Sequence, residues 1–81
     1  MERKEIFEKL NEIFKDVMDN DEIEVTESTS SDDIEEWDSL SHIQLVVAIE
    51  KAFCVKITSI EIRGWDNVGD MVDALLTKIN G

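Results

Sequence analysis

The sequence predicts an all-α fold, a small four-helix bundle of three main helices plus one short helix, with a long acidic first loop. Three observations predict it. Apolar residues recur at steps of three and four in three separate segments, which is the spacing of an amphipathic helix. The chain has no proline and only three glycines, so little in it interrupts a helix. The stretch between the first two apolar segments, residues 20–38, is acidic and rich in Ser and Thr. At 81 residues the chain reads as a single domain, 1–81, with a thin core.

In the first segment Ile6, Leu10, Ile13, Phe14 and Val17 form one stripe, giving a helix from about Glu2 to Asp19 that Asn20-Asp21 ends. Residues 20–38 follow as a loop. Ile23, Val25 and Ile34 are its candidates for contact with the core, and its length suggests a functional role. The second helix spans Ser39 to Phe53. Leu40, Ile43, Val46, Val47 and Ile49 cover more than one stripe, so this helix is either central or offers part of itself to a partner. In "CVKITSIEI" Val55 and Ile57 alternate like a strand, while Thr58-Ser59-Ile60-Glu61 has the form of a capping box. We read an extended piece, then a short helix Ser59–Arg63 ended by Gly64. Asn67 caps the last helix, Val68 to Ile79, whose stripe is Val68, Met71, Val72, Leu75 and Ile79.

The net charge is -12, and residues 16–50 hold twelve of the twenty acidic residues and none of the eight basic ones. The other segments balance. Such a field repels nucleic acid and anionic membrane and attracts proteins with basic patches. The charged N-terminal segment has no apolar signal core and no run is long enough for stable membrane insertion, so the expected location is cytoplasmic. The lone Cys54 cannot form an internal disulfide, suits a reducing compartment and reads as a small core residue.

Catalysis finds little support. Ser39 and His42 share a helix face, but His42 is the single histidine and no glycine-rich turn precedes the serine. The chain reads as no enzyme, with His42 a solvated helix residue. No Cys/His cluster exists and the acidic loop lacks the ligand order of a calcium loop, so no metal site is expected. Trp37 and Trp65 read as packing anchors.

What remains is Asp38-Ser39-Leu40 at the mouth of an apolar helix. A helix start leaves unpaired N–H groups and a partial positive charge, which favour negative charge nearby. Either Ser39 is itself the cap, or Asp38 is the cap and Ser39 is the first helical residue with an outward hydroxyl. In the second case Leu40 and Ile43 are expected to fall inward.

"DSL", the following "IQLVVAIEKAF" and then "VKI" resemble the acyl carrier protein family, and the chain's size, acidity and helix order agree. The resemblance implies three main helices with a short extra one before the last. It implies that Ser39 carries 4'-phosphopantetheine, taken from coenzyme A by a phosphopantetheinyl transferase, with Asp38 and Leu40 as motif neighbours. The arm's thiol would hold acyl or aminoacyl groups as thioesters for loading and transfer enzymes with basic docking patches. Docking would involve Glu35, Glu36, Trp37, Ile43, Val46 and Glu50, on a monomer. Glu36-Trp37 stand where fatty-acid carriers commonly have Gly-Ala, Ser41-His42 follow the motif, and Glu50 is the one acid between Ser39 and Phe53. These departures point to a specialised carrier, for a polyketide, an amino acid or a cell-envelope group. The alternative reading is an acidic helical interaction module without a prosthetic group.

Overall fold

The computed structural model describes residues 2–80. Four helices follow one another: α1 (Arg3–Met18), α2 (Ser39–Phe53), α3 (Ser59–Arg63) and α4 (Val68–Asn80). Among the described residues there is no strand. The predicted architecture of three main helices and one short one is the observed one.

α1 ends at Asp19, which takes a left-handed conformation at φ 53° and returns its N–H to the Asp16 and Lys15 carbonyls. α1 packs on both α2 and α4. Its stripe of Ile6, Leu10, Phe14 and Met18 is buried against Leu45, Ile49 and Phe53 from α2 and Val68, Met71, Val72 and Leu75 from α4. This is the packing that a 3.6-residue period of apolar side chains requires.

The loop from Asn20 to Asp38 lies along this core, because Ile23, Val25 and Ile34 are all buried in it. Three of its backbone groups are bonded to the helices. Asn11 of α1 accepts the Val25 N–H at 2.7 Å through its side-chain oxygen. The Thr29 carbonyl accepts the Val68 N–H at 2.8 Å, and the Glu27 carbonyl accepts the Gly69 N–H at 2.9 Å. Gly69 is required by this approach, since a Cβ there would stand 2.8 Å from the Glu27 carbonyl oxygen. Arg3 joins the same elements through ion pairs with Glu27 and Asp73.

α3 starts as the capping box anticipates. Thr58 Oγ1 accepts the Glu61 N–H at 3.2 Å, and a Glu61 carboxylate oxygen accepts the Thr58 N–H at 3.4 Å. Lys78 of α4 reaches the same carboxylate at 2.8 Å, and its hydrogen bond is the main reason the Glu61 pKa lies below the usual carboxylate range. Gly64 closes α3 with an ordinary right-handed conformation. The connection between α2 and α3 is irregular, and Val55 and Ile57 pack against the core. Asn67 caps α4 by accepting the Asp70 N–H at 2.9 Å.

Cys54 is not a core residue. It is exposed, at φ 55°, and ends α2 in the left-handed region. Helix termination, rather than burial, decides its position.

Candidate functional site

The start of α2 is fixed by two short side chains. Asp38 is the N-cap, and its Oδ1 accepts the Ser41 N–H at 2.9 Å. Ser41 Oγ in turn accepts the Asp38 N–H at 2.8 Å and donates to the Glu36 carbonyl at 2.8 Å. A serine thus closes the box, a role usually given to Glu or Gln three residues after the cap. The bonds from Ser41 hold the Asp38 carboxyl below its usual pKa.

With Asp38 as the cap, Ser39 is the first helical residue and is exposed. Among the described residues its hydroxyl makes no hydrogen bond. Leu40 and Ile43 do not fall inward as expected; they are 67% and 63% exposed. Leu45, Val46, Ile49 and Phe53 take the core side of α2. Leu40, Ile43 and Val47 therefore form a second stripe that faces out.

That division revises the docking residues expected from the sequence. Val46 is buried and offers no surface, because it shares the inward stripe. Trp37 is half-buried against the core. Glu50 is half-buried too, and its Oε2 accepts the Ile57 N–H at 2.9 Å, so it pins the connection after α2. Glu35 and Glu36 are exposed, and Glu36 accepts from the Asn20 side chain at 2.8 Å.

His42 is not a solvated residue either. Its Nδ1 accepts the Trp37 indole N–H at 2.9 Å. The rings are 21° from parallel with centroids 5.9 Å apart, a spacing that fits edge-to-edge contact through this bond better than face-to-face stacking. Trp37 meets Phe14 edge-on at 5.0 Å, which links the site to the core. Burial lowers the His42 pKa. Nδ1 is thus committed to Trp37, and among the described residues no hydrogen bond joins His42 to Ser39. The pair lacks the geometry of a nucleophile and its base.

A cleft of about 530 Å³ opens beside Ser39. Trp37, Asp38 and His42 form one wall, and Ile62, Trp65, Asp66, Asn67 and Met71, from α3 to α4, form the other. The second wall was not legible from the sequence, since its residues lie more than twenty positions from Ser39. The only signal was Trp65, an aromatic in an otherwise polar link. Among the described residues no group of three or more His, Cys, Asp or Glu side chains is placed to hold a metal ion.

The arrangement is an exposed hydroxyl at a capped helix start, beside a partly apolar cleft, and among the described residues it has no hydrogen bond to a base. An exposed hydroxyl in this position is open to covalent attachment of a group. Comparisons with known proteins give the family. Residues 8–75 match the family model described as phosphopantetheine attachment site. The acyl carrier protein of Petrotoga mobilis is 38% identical over 80 residues, 99% of this chain and 94% of that protein. The acyl carrier protein of Thermotoga maritima is 34% identical over 77 residues, 95% of each. The solution structure of a holo acyl carrier protein from Geobacter metallireducens superposes with a TM-score of 0.87 at 39% identity, covering 91% of this chain and 85% of that one.

Proposed function

The chain belongs to the acyl carrier protein family, whose members are carriers and not enzymes, and from that premise we propose that Ser39 is the residue that carries 4'-phosphopantetheine. The observation that carries this reading is the position of Ser39. Asp38 takes over the cap, which leaves the Ser39 hydroxyl exposed on the first turn of α2. The attached phosphodiester would sit at the positive end of the helix dipole, beside N–H groups not used within the helix. The role of this chain's residues is to hold that turn rigid and to present the arm. The arm itself supplies a thiol that forms thioesters.

The load is an acyl or aminoacyl group passed between partner enzymes, and the carrier is a specialised one rather than the main fatty-acid carrier. α2 supports this, because it has no charged residue from Ser39 to Ile49. The carrier works as a monomer in the cytoplasm. Among the described residues no helix is long and apolar enough to cross a membrane.

Incubation with coenzyme A and a phosphopantetheinyl transferase should add one phosphopantetheine to the intact mass, and Ser39→Ala should add none. Modification of Ser39→Ala would refute the site. No modification of the wild-type protein by several active transferases would favour the unmodified interaction module. Offering the holo protein fatty-acyl, polyketide and aminoacyl loading enzymes then identifies the load.

A further inference from the structure

His42 keeps one polar atom that the fold does not use. The Trp37 indole nitrogen can only donate, so its bond to Nδ1 at 2.9 Å requires a lone pair there. A neutral imidazole with an unprotonated Nδ1 carries its proton on Nε2. The bond to Trp37 therefore fixes the tautomer. The two ring nitrogens face different ways, so Nε2–H points away from Trp37. Among the described residues nothing accepts from it. The ring is half-buried and lines the cleft that Ser39 also lines.

The helix brings this donor to Ser39. Residues three apart on a helix are neighbours, with Cβ atoms about 5–6 Å apart. Helical side chains lean toward the preceding turn. His42 does so, since its ring reaches Trp37 ahead of α2, and Ser39 opens that same turn. The charged side chains lining the cleft are Asp38, at the head of α2, and Asp66, from the link before α4; both are exposed acids. No Lys or Arg lines it. On the α2 side of the cleft, Nε2–H of His42 is thus the one side-chain N–H not already committed.

We propose that His42 Nε2–H donates to a non-bridging phosphate oxygen of the 4'-phosphopantetheine on Ser39, and so fixes the direction in which the arm leaves α2. The inference rests on Ser39 as the attachment residue. Trp37 is a positioning residue in it: by holding Nδ1 it keeps the proton on Nε2 and the ring over the first turn. Burial favours the neutral ring, so the tautomer rather than a positive charge supplies the donor. A hydrogen bond to an ionised oxygen is stronger than one between neutral groups. A protonated Nε2 has no lone pair, so the same ring is no base toward the Ser39 hydroxyl.

The test compares the apo and holo forms of the full chain, the holo form being established beforehand by its mass gain. Long-range proton–nitrogen NMR should show His42 with Nδ1 unprotonated and Nε2 protonated in both. Attachment should raise the His42 titration midpoint by about one pH unit, because a contacting anion favours the imidazolium. The Nε2 proton should exchange with water several-fold more slowly in the holo form. In holo His42→Gln, whose amide nitrogen stands near the place of Nε2, the phosphorus chemical shift of the diester should stay near the wild-type value. In holo His42→Asn, which offers Trp37 an acceptor but has no donor at that reach, it should move. Circular dichroism of both variants checks their fold. A midpoint and an exchange rate that attachment leaves unchanged would overturn the proposal, and so would a predominant Nδ1–H tautomer. Absence of the mass gain would instead refute the attachment reading.

Discussion

Trp37 donates its indole N–H to Nδ1 of His42 at 2.9 Å. The bond fastens the end of the long loop to the first turn of α2, three residues from Ser39. It exists only while His42 is neutral, because a protonated imidazole has no acceptor nitrogen.

The first prediction follows from that protonation. Burial lowers the folded-state His42 pKa below its ordinary value near 6.5. A histidine with a lowered pKa contributes stability that is complete above the ordinary value and is lost as pH falls through it toward the folded value. His42→Ala should cost about 1–2 kcal/mol at neutral pH by leaving the indole N–H without its acceptor. Urea unfolding should show this difference shrinking below about pH 6. An equal difference at acid and neutral pH would show that the bond contributes nothing.

The second concerns Asp38. Its pKa is lowered chiefly by the Ser41 N–H bond. Its contribution is therefore present above the ordinary carboxylate value, near 3.9, and is lost as pH falls through the lower folded value. Asp38→Ala should lower the melting temperature and slow phosphopantetheine addition, because the first turn is no longer held. Asp38→Asn keeps an acceptor and should retain most of both at neutral pH. Thermal melts and modification rates check this pair, and an alanine variant as stable and as rapidly modified as wild type would contradict it.

The third concerns Gly69. A methyl group there would stand 2.8 Å from the Glu27 carbonyl oxygen, which is backbone and cannot swing aside. Gly69→Ala should cost about 1–3 kcal/mol by forcing the loop from α4. The expected gain in helix propensity is under about 1 kcal/mol and does not offset this. Denaturant melts would show the loss; a stabilised variant would mean that the loop yields freely.

The fourth joins charge to stability. The twelve acids of residues 16–50 have no basic residue in their own segment. Folding brings them together, and their repulsion opposes a small core. Added monovalent salt should raise the melting temperature by screening, since the Debye length falls from about 30 Å at 0.01 M to about 8 Å at 0.15 M. A high melting temperature that ignores salt would show that the loop acids are too far apart to repel.

The helices were legible in the sequence because each carries its own periodic stripe and caps. Thr58 with Glu61, Asn67 and Asp38 are local signals, acting within three residues. The burial of Ile23, Val25 and Ile34 was also legible, as isolated aliphatics in an acidic stretch. The rotation of α2 was not. Leu40 and Ile43 match a helical stripe as well as Leu45 and Ile49 do, and only packing on α1 decides which stripe faces in. The Trp37–His42 bond escaped for a related reason, since five residues across a loop-to-helix junction follow no regular period. Cys54 misled because composition favours burial, whereas its place at the end of α2 requires a left-handed backbone.

A helix start ordinarily leaves its first amides to water, yet the Val68 and Gly69 amides of α4 are bonded to loop carbonyls of Thr29 and Glu27. The loop and the head of α4 thus form one cooperative unit, opening together or not at all. Hydrogen exchange should give these two amides the same protection as the Val25 amide, which is held from α1 by Asn11. The acidic stretch that the sequence sets apart from the helices would then open with the core and not as a separate loop.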